Sequence, residues 1–230
     1  MNLRMRCLIY FLLVLGGMAC TADDGIAVYE KKGSKLFSKY IFAMDGGFFF
    51  TNLRDSSDIT VIGKNKILVN KDILFKKLND LSAQVNGPLL LEASNHESGR
   101  YSIDNNFNYD LRFNGDELLV REYRSDSTSV CYLVTPDQEY IDLLKKAINN
   151  FAQKRGSHHR VSETDNSVTF NIKLNGRTFR RSKSINDDDV ILLYESIRFT
   201  LMQNLKDSSK YQAIPDTLKV QTSERYFGLR

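Results

Sequence analysis

Asp104, Asn106, Asn108 and Asp110 fall at alternate positions, the spacing with which a calcium loop of the EF-hand kind begins. Such a loop needs Gly at its sixth position and Glu at its twelfth. Tyr109 and Gly115 stand there instead, so the run reads as an alternating strand. Zinc would need converging imidazoles or thiolates. His158 and His159 are adjacent, which puts them on opposite faces of a strand or about 100° apart on a helix, a poor start for one ion. His96 sits alone in Ser94-Asn95-His96-Glu97-Ser98, read as a polar surface loop. There is no Gly-x-Ser-x-Gly elbow for a serine nucleophile and no glycine-rich phosphate loop. Cys131 lies in Val130-Cys131-Tyr132-Leu133-Val134. A reactive thiol wants an exposed electropositive setting, so this one reads as a small buried hydrophobe. The reading is therefore of a non-enzyme that carries no cofactor and no metal.

Two basic groups remain. Arg177, Arg180, Arg181 and Lys183 lie on one expected strand, and Lys154, Arg155, His158, His159 and Arg160 follow an expected helix. Brought together, Arg177, Arg180, Arg181, Lys183 and Arg160 would form a positive patch able to hold phosphate, lipid headgroups or an acidic protein surface. The competing reading is an ordinary solvated face. Nucleic acid is excluded as a partner: 32 basic residues against 28 acidic ones give only +4, and no aromatic-interleaved basic motif occurs.

The chain has 230 residues, of which 42% are apolar and 26% charged. Those proportions are globular, and at this length a core forms without staples. The first residues differ. Arg4 and Arg6 open a cationic start, Cys7 to Leu15 form an apolar run, and Gly16, Gly17 and Ala19 are small. This is the three-part plan of a secretory signal peptide. A membrane-spanning helix needs about 20 apolar residues, whereas Thr21, Asp23 and Asp24 soon restore polarity.

Cys20 directly follows Ala19, and residues 1–20 thereby resemble the signal peptides of bacterial lipoproteins, which are cut just before a cysteine that becomes lipid-modified. Gly17 replaces the usual Leu three positions earlier, and Gly17-Met18-Ala19 also suits ordinary signal peptidase. Both routes cut one bond and differ in the fate of Cys20: acylated, or free to bridge to Cys131. The resemblance implies Cys20 as the lipidation site and the membrane as a partner through several acyl chains, enough for stable anchoring. Thr21, where Asp would favour inner-membrane retention, points to the outer membrane.

The elements expected beyond the leader are hairpins alternating with helices. Asp45-Gly46 is a tight-turn dipeptide between Tyr40-Ile41-Phe42 and Phe48-Phe49-Phe50. Ile59 to Ile62 and Lys66 to Val69 pair around Gly63-Lys64-Asn65. Leu74, Leu78, Leu81 and Val85 predict a helix starting at Asn70 and stopped by Asn86-Gly87-Pro88. Phe107, Tyr109, Leu111 and Phe113 alternate with polar residues, which predicts a strand with one wet face. Leu118 to Tyr123 and Thr128 to Val134 continue the meander. Thr135-Pro136 and Gln138 predict a capped helix carrying Ile141, Leu144, Ile148 and Phe151. Val168 to Leu174, Asn175-Gly176 and Arg177 to Ser182 form another hairpin. Asp187 opens a third helix with Val190, Tyr194, Ile197, Leu201 and Leu205, and one edge strand is expected near Leu218 to Thr222.

The expected fold class is α+β: antiparallel β-hairpins alternating with about three helices packed on one face of the sheet. The Asn-Gly turns at 114 and 175 leave open an internal hairpin–helix repeat. The expected organisation is a signal peptide over 1–19, a lipidated tether over 20–36, and one α+β domain over 37–230, or two subdomains split near 100. A motif-poor domain expected to be exported is expected to work by binding. The expectation is a periplasm-facing envelope lipoprotein whose partner is another protein, most concretely an immunity protein neutralising a secreted antibacterial toxin. A structural or assembly lipoprotein is the alternative, and an enzyme with an unrecognised site the third. Phe48, Phe49, Phe50, Tyr226 and Phe227 are aromatic candidates for such an interface, with core the competing role for the Phe run.

Overall fold

The computed structural model describes residues 25–31, 40–49, 58–85, 87–98, 108–123, 128–153, 167–182 and 188–215. The N-terminal third is a six-stranded antiparallel sheet: β1 (Ala27–Lys31), β2 (Tyr40–Met44), β3 (Gly47–Phe49), β4 (Ile59–Val61), β5 (Lys66–Val69) and β6 (Ile73–Lys77), in spatial order β3-β2-β1-β6-β5-β4. Asp45 and Gly46 take φ of 50° and 76°. Positive φ at both central residues matches the twist of the flanking strands and sets Phe42 opposite Phe49. β1 falls within the stretch expected to be tether. It runs between β2 and β6 and buries Val28 and Tyr29 on its two faces.

The helix expected from Asn70 does not form. Asn70 and Lys71 take φ of 51° and 69°, a left-handed pair that folds the chain back and sets Val69 opposite Ile73. Phe75 then joins Tyr29, Ile41, Ile67 and Val69 in a buried cluster on one face of this sheet. A strand of alternating Ile73, Phe75 and Lys77 thus outcompetes the helical stripe. Leu78, Leu81 and Val85 still pack on the main core, but from irregular chain.

The second sheet has seven antiparallel strands: β7 (Leu91–Ser98), β8 (Asn108–Phe113), β9 (Leu118–Tyr123), β10 (Ser129–Val134), β11 (Ser167–Leu174), β12 (Arg177–Ser182) and β13 (Tyr211–Ile214). Its order is β12-β11-β7-β8-β9-β10-β13. His96 lies within β7, so the expected loop is a strand. The edge strand at the end of the chain is β13; the expected one at Leu218 to Thr222 lies outside the described residues. The two Asn-Gly turns differ. Asn175 and Gly176 both have positive φ, whereas at Asn114 the side-chain carbonyl accepts the Asp116 and Glu117 amides at 3.0 and 2.9 Å. No repeat is shown.

Among the described residues there are two helices, α1 (Gln138–Gln153) and α2 (Asp188–Asn204), rather than three. The α1 amides of Tyr140 and Ile141 both bond the Asp137 carbonyl, so Asp137 rather than Thr135 caps it, and the Thr135 amide bonds Lys210 instead. α1 buries one face. α2 buries nearly every side chain described on it, from Val190 to Leu201, because it is covered from two sides. Phe199 stacks on Phe42 with centroids 4.6 Å apart and planes 9° apart, and it also meets Phe49 and Tyr140. Leu91, Leu111, Phe113, Val120 and Val134 of the seven-stranded sheet share that core. The architecture is α+β, mostly antiparallel sheet, with both sheets joined to the helix pair through one apolar cluster.

Candidate functional site

The expected basic patch is only partly within the described residues. Arg177 is exposed at the start of β12, while Arg180 and Arg181 stand opposite Asn171 and Phe170 in the register with β11. Lys183 and Arg160 lie outside the described residues, as do Lys154, Arg155, His158 and His159. Cys20, Tyr226, Phe227 and Phe50 lie outside them too. Phe48 and Phe49 belong to the two opposite faces of their sheet: Phe48 meets Tyr29 edge-on at 6.3 Å and Phe49 packs on Phe199. Their role is core.

The seven-stranded sheet carries a polar row on the face turned away from the helices. Register aligns Ser94, Asp110, Arg121 and Cys131 across four adjacent strands. Sequence alternation predicts a wet face here, yet Asp110 is 0% exposed and Ser94 and Cys131 are also buried. The Tyr123 hydroxyl donates to Asp110 Oδ2, and Arg121 hydrogen-bonds the same tyrosine. Burial first, and then the Asp110 carboxylate, push the Tyr123 pKa above its usual value, so its proton stays on. Cys131 is buried as its apolar neighbours imply, but its partner across β9 is Arg121. Tyr123 and Asp110 thus tie β9 to β8 by a side-chain hydrogen bond.

At the start of α1, Lys210 pairs with Asp137, which draws the lysine pKa up. Glu139 is pushed up by burial and by Asp45 and Asp137, and Tyr140 by burial and by Glu139, Asp137 and Asp45 to about 12. These groups cap and seat the helix. A cavity of about 190 Å³ is lined by Ile26, Val28, Leu78, Leu81, Lys77 and Lys146. Among the described residues, no cluster of three or more His, Cys, Asp or Glu could hold a metal ion.

The most exposed apolar surface lies at the other end of the six-stranded sheet. β4 is its edge strand, and Val61 and Ile62 are 58% and 48% exposed. Pairing sets Thr60 opposite Leu68 and Leu68 opposite Leu74. Alternation therefore puts Thr60, Ile62, Leu68 and Leu74 on one face, where Leu74 is 39% exposed. The Ile62 amide bonds the Lys66 carbonyl at 2.9 Å, and Lys66 stands opposite Lys76, so an exposed row Ile62-Lys66-Lys76 borders the apolar strip. Sequence reasoning placed Leu74 inside a helix and so missed this surface. The available signal was four consecutive β-branched residues, Ile59 to Ile62, followed by lysines at 64 and 66. The chain matches no family model, no curated protein and no solved structure.

Proposed function

We propose that the chain is a lipid-anchored protein of the bacterial cell envelope, held at the periplasmic side of the outer membrane through Cys20, that works by binding another protein. In its most concrete form it is an immunity protein that neutralises an antibacterial toxin. The observation that carries the binding role is the β4 edge, where exposed Val61 and Ile62 adjoin strand backbone. Exposed apolar side chains beside a sheet edge are a place where a partner gains both burial and main-chain hydrogen bonds. A stable complex would cover about 800 Å² on each side. The anchoring half rests on the leader, Arg4 to Ala19 before Cys20. No helix among the described residues is long and apolar enough to cross a membrane.

The test is growth rescue. Each product encoded beside this gene is directed to the periplasm of a sensitive host, with or without the full chain. The expected result is one product that arrests growth, with rescue by the full chain and none by a version lacking residues 1–20. A neighbourhood without a toxic product, combined with a constitutive envelope defect on deletion, would replace immunity by an assembly role.

A further inference from the structure

The four sheet edges of the described residues are defended unequally. β3 has only three residues, all half-buried. β12 reads Arg-Thr-Phe-Arg-Arg-Ser, a strongly charged edge. β13 is short and is followed by Pro215. Charge, proline and shortness are the usual devices against unwanted pairing. β4 is short as well, yet Ile59-Thr60-Val61-Ile62 contains no charge and no proline, and every residue is a β-branched strand former.

Its backbone is also oriented for pairing. The Asn70 amide bonds the Asp58 carbonyl at 2.8 Å, and the Ile62 amide bonds the Lys66 carbonyl at 2.9 Å. In an antiparallel ladder the hydrogen-bonded positions alternate, so 58, 60 and 62 point inward to β5 while Ile59 and Val61 present N–H and C=O outward. The surroundings are cationic. Residues 58–77 hold Lys64, Lys66, Lys71, Lys76 and Lys77 against Asp58 and Asp72. The first four lysines are exposed. A second copy pairing edge to edge would set this excess against itself.

We infer that β4 is an acceptor edge for an extended, acidic segment of a partner protein, which adds to the sheet as a seventh strand. Ile59 and Val61 supply the main-chain bonds. Val61 and Ile62, on opposite faces of the edge, receive the partner's apolar side chains. Lys64 in the turn and Lys66 on the neighbouring strand receive its carboxylates. This deepens the protein-binding reading above and depends on it.

Two experiments test it and separate its failure from that of the broader reading. The first uses the purified full chain and a peptide of about eight residues alternating glutamate with valine, beside its lysine–valine counterpart. The acidic peptide should bind at least about tenfold more tightly. It should lose most of that preference near 1 M salt, where the Debye length is about 3 Å. Val61→Pro removes an outward donor without touching an inward bond, and Val61→Lys adds a guarding charge. Both should weaken binding at least about tenfold while the thermal melt is kept. Equal binding of the two peptides, or full binding by folded Val61→Pro, overturns the inference. So does adhesion to phosphatidylglycerol vesicles without peptide binding, which would make this a membrane surface. The second experiment places a photo-crosslinker at Thr60 or at Arg177 of the full chain in the native cell. A protein adduct at Thr60 alone supports the inference. An adduct at Arg177 alone refutes the β4 edge but keeps protein binding, and adducts at neither position refute both.

Discussion

Replacing Tyr123 by Phe removes one hydroxyl and leaves the ring. That hydroxyl donates to Asp110, whose side chain is entirely out of solvent on the face away from the helices. A hydrogen bond to a charged group contributes about 1.5–3 kcal/mol. Tyr123 is itself only half-buried, so water can reach part of the gap. The expected loss is therefore about 2 kcal/mol, near the low end. Mature chains of this size lose about 2–4 °C of Tm per kcal/mol, which gives a drop of about 4–8 °C. Asp110→Asn keeps the shape and removes the charge. Its amide oxygen still accepts, so the double-mutant cycle pairs Tyr123→Phe with Asp110→Ala, which removes the acceptor, and read from urea midpoints it should return a coupling of about 1–2 kcal/mol. A coupling below about 0.5 kcal/mol would refute the claim that this pair clamps β8 to β9.

Other perturbations follow from the same structure. Phe199→Ala should cost about 3–5 kcal/mol, because the ring touches Phe42, Phe49 and Tyr140 at the junction of sheet and helices; a loss under about 1 kcal/mol would mean the layers are not joined there. Tyr140 has its pKa raised from 10.0 to about 12, so the unfolded chain ionises first. Stability from this group is intact below about pH 10 and should fall by about 2 kcal/mol as pH climbs toward 12. Tyr140→Phe should lose that much less over the same window, measured by denaturant midpoints at about pH 9 and pH 11.5. Lys71 holds a φ of 69°, which costs a non-glycine residue about 1 kcal/mol. Lys71→Gly should accordingly raise stability by about 0.5 kcal/mol, and a decrease of that size would show the turn is unstrained.

Much of the architecture is legible where local rules and burial agree. The Asp45-Gly46 and Asn175-Gly176 turns demand positive φ, and both occur as hairpins. The stripe from Ile141 to Phe151 forms α1 because its period leaves no good alternative. Residues 70–85 misled because two periods coexist there. Leu74, Leu78, Leu81 and Val85 repeat as a helix would, but Ile73 and Phe75 alternate, and the left-handed pair Asn70-Lys71 commits the chain to a hairpin. Propensity at one turn decided it, with the Tyr29 and Ile41 cluster supplying the burial. Asp110 was legible as a polar strand position but not as a buried one, since alternation says nothing of the Tyr123 hydroxyl that bonds it from the next strand. The β4 surface was hidden for a related reason: which strand lies at an edge depends on sheet order, and β1 pairs with β6 across the whole of the intervening hairpins.

The most direct measurement is native mass spectrometry of the tagged full chain released intact from envelopes of its own host, beside its Val61→Lys variant. The account predicts a species starting at Cys20 with acyl mass added, carrying one protein companion that the variant loses. A chain that still begins at Met1, recovered alone from the soluble fraction, would contradict it.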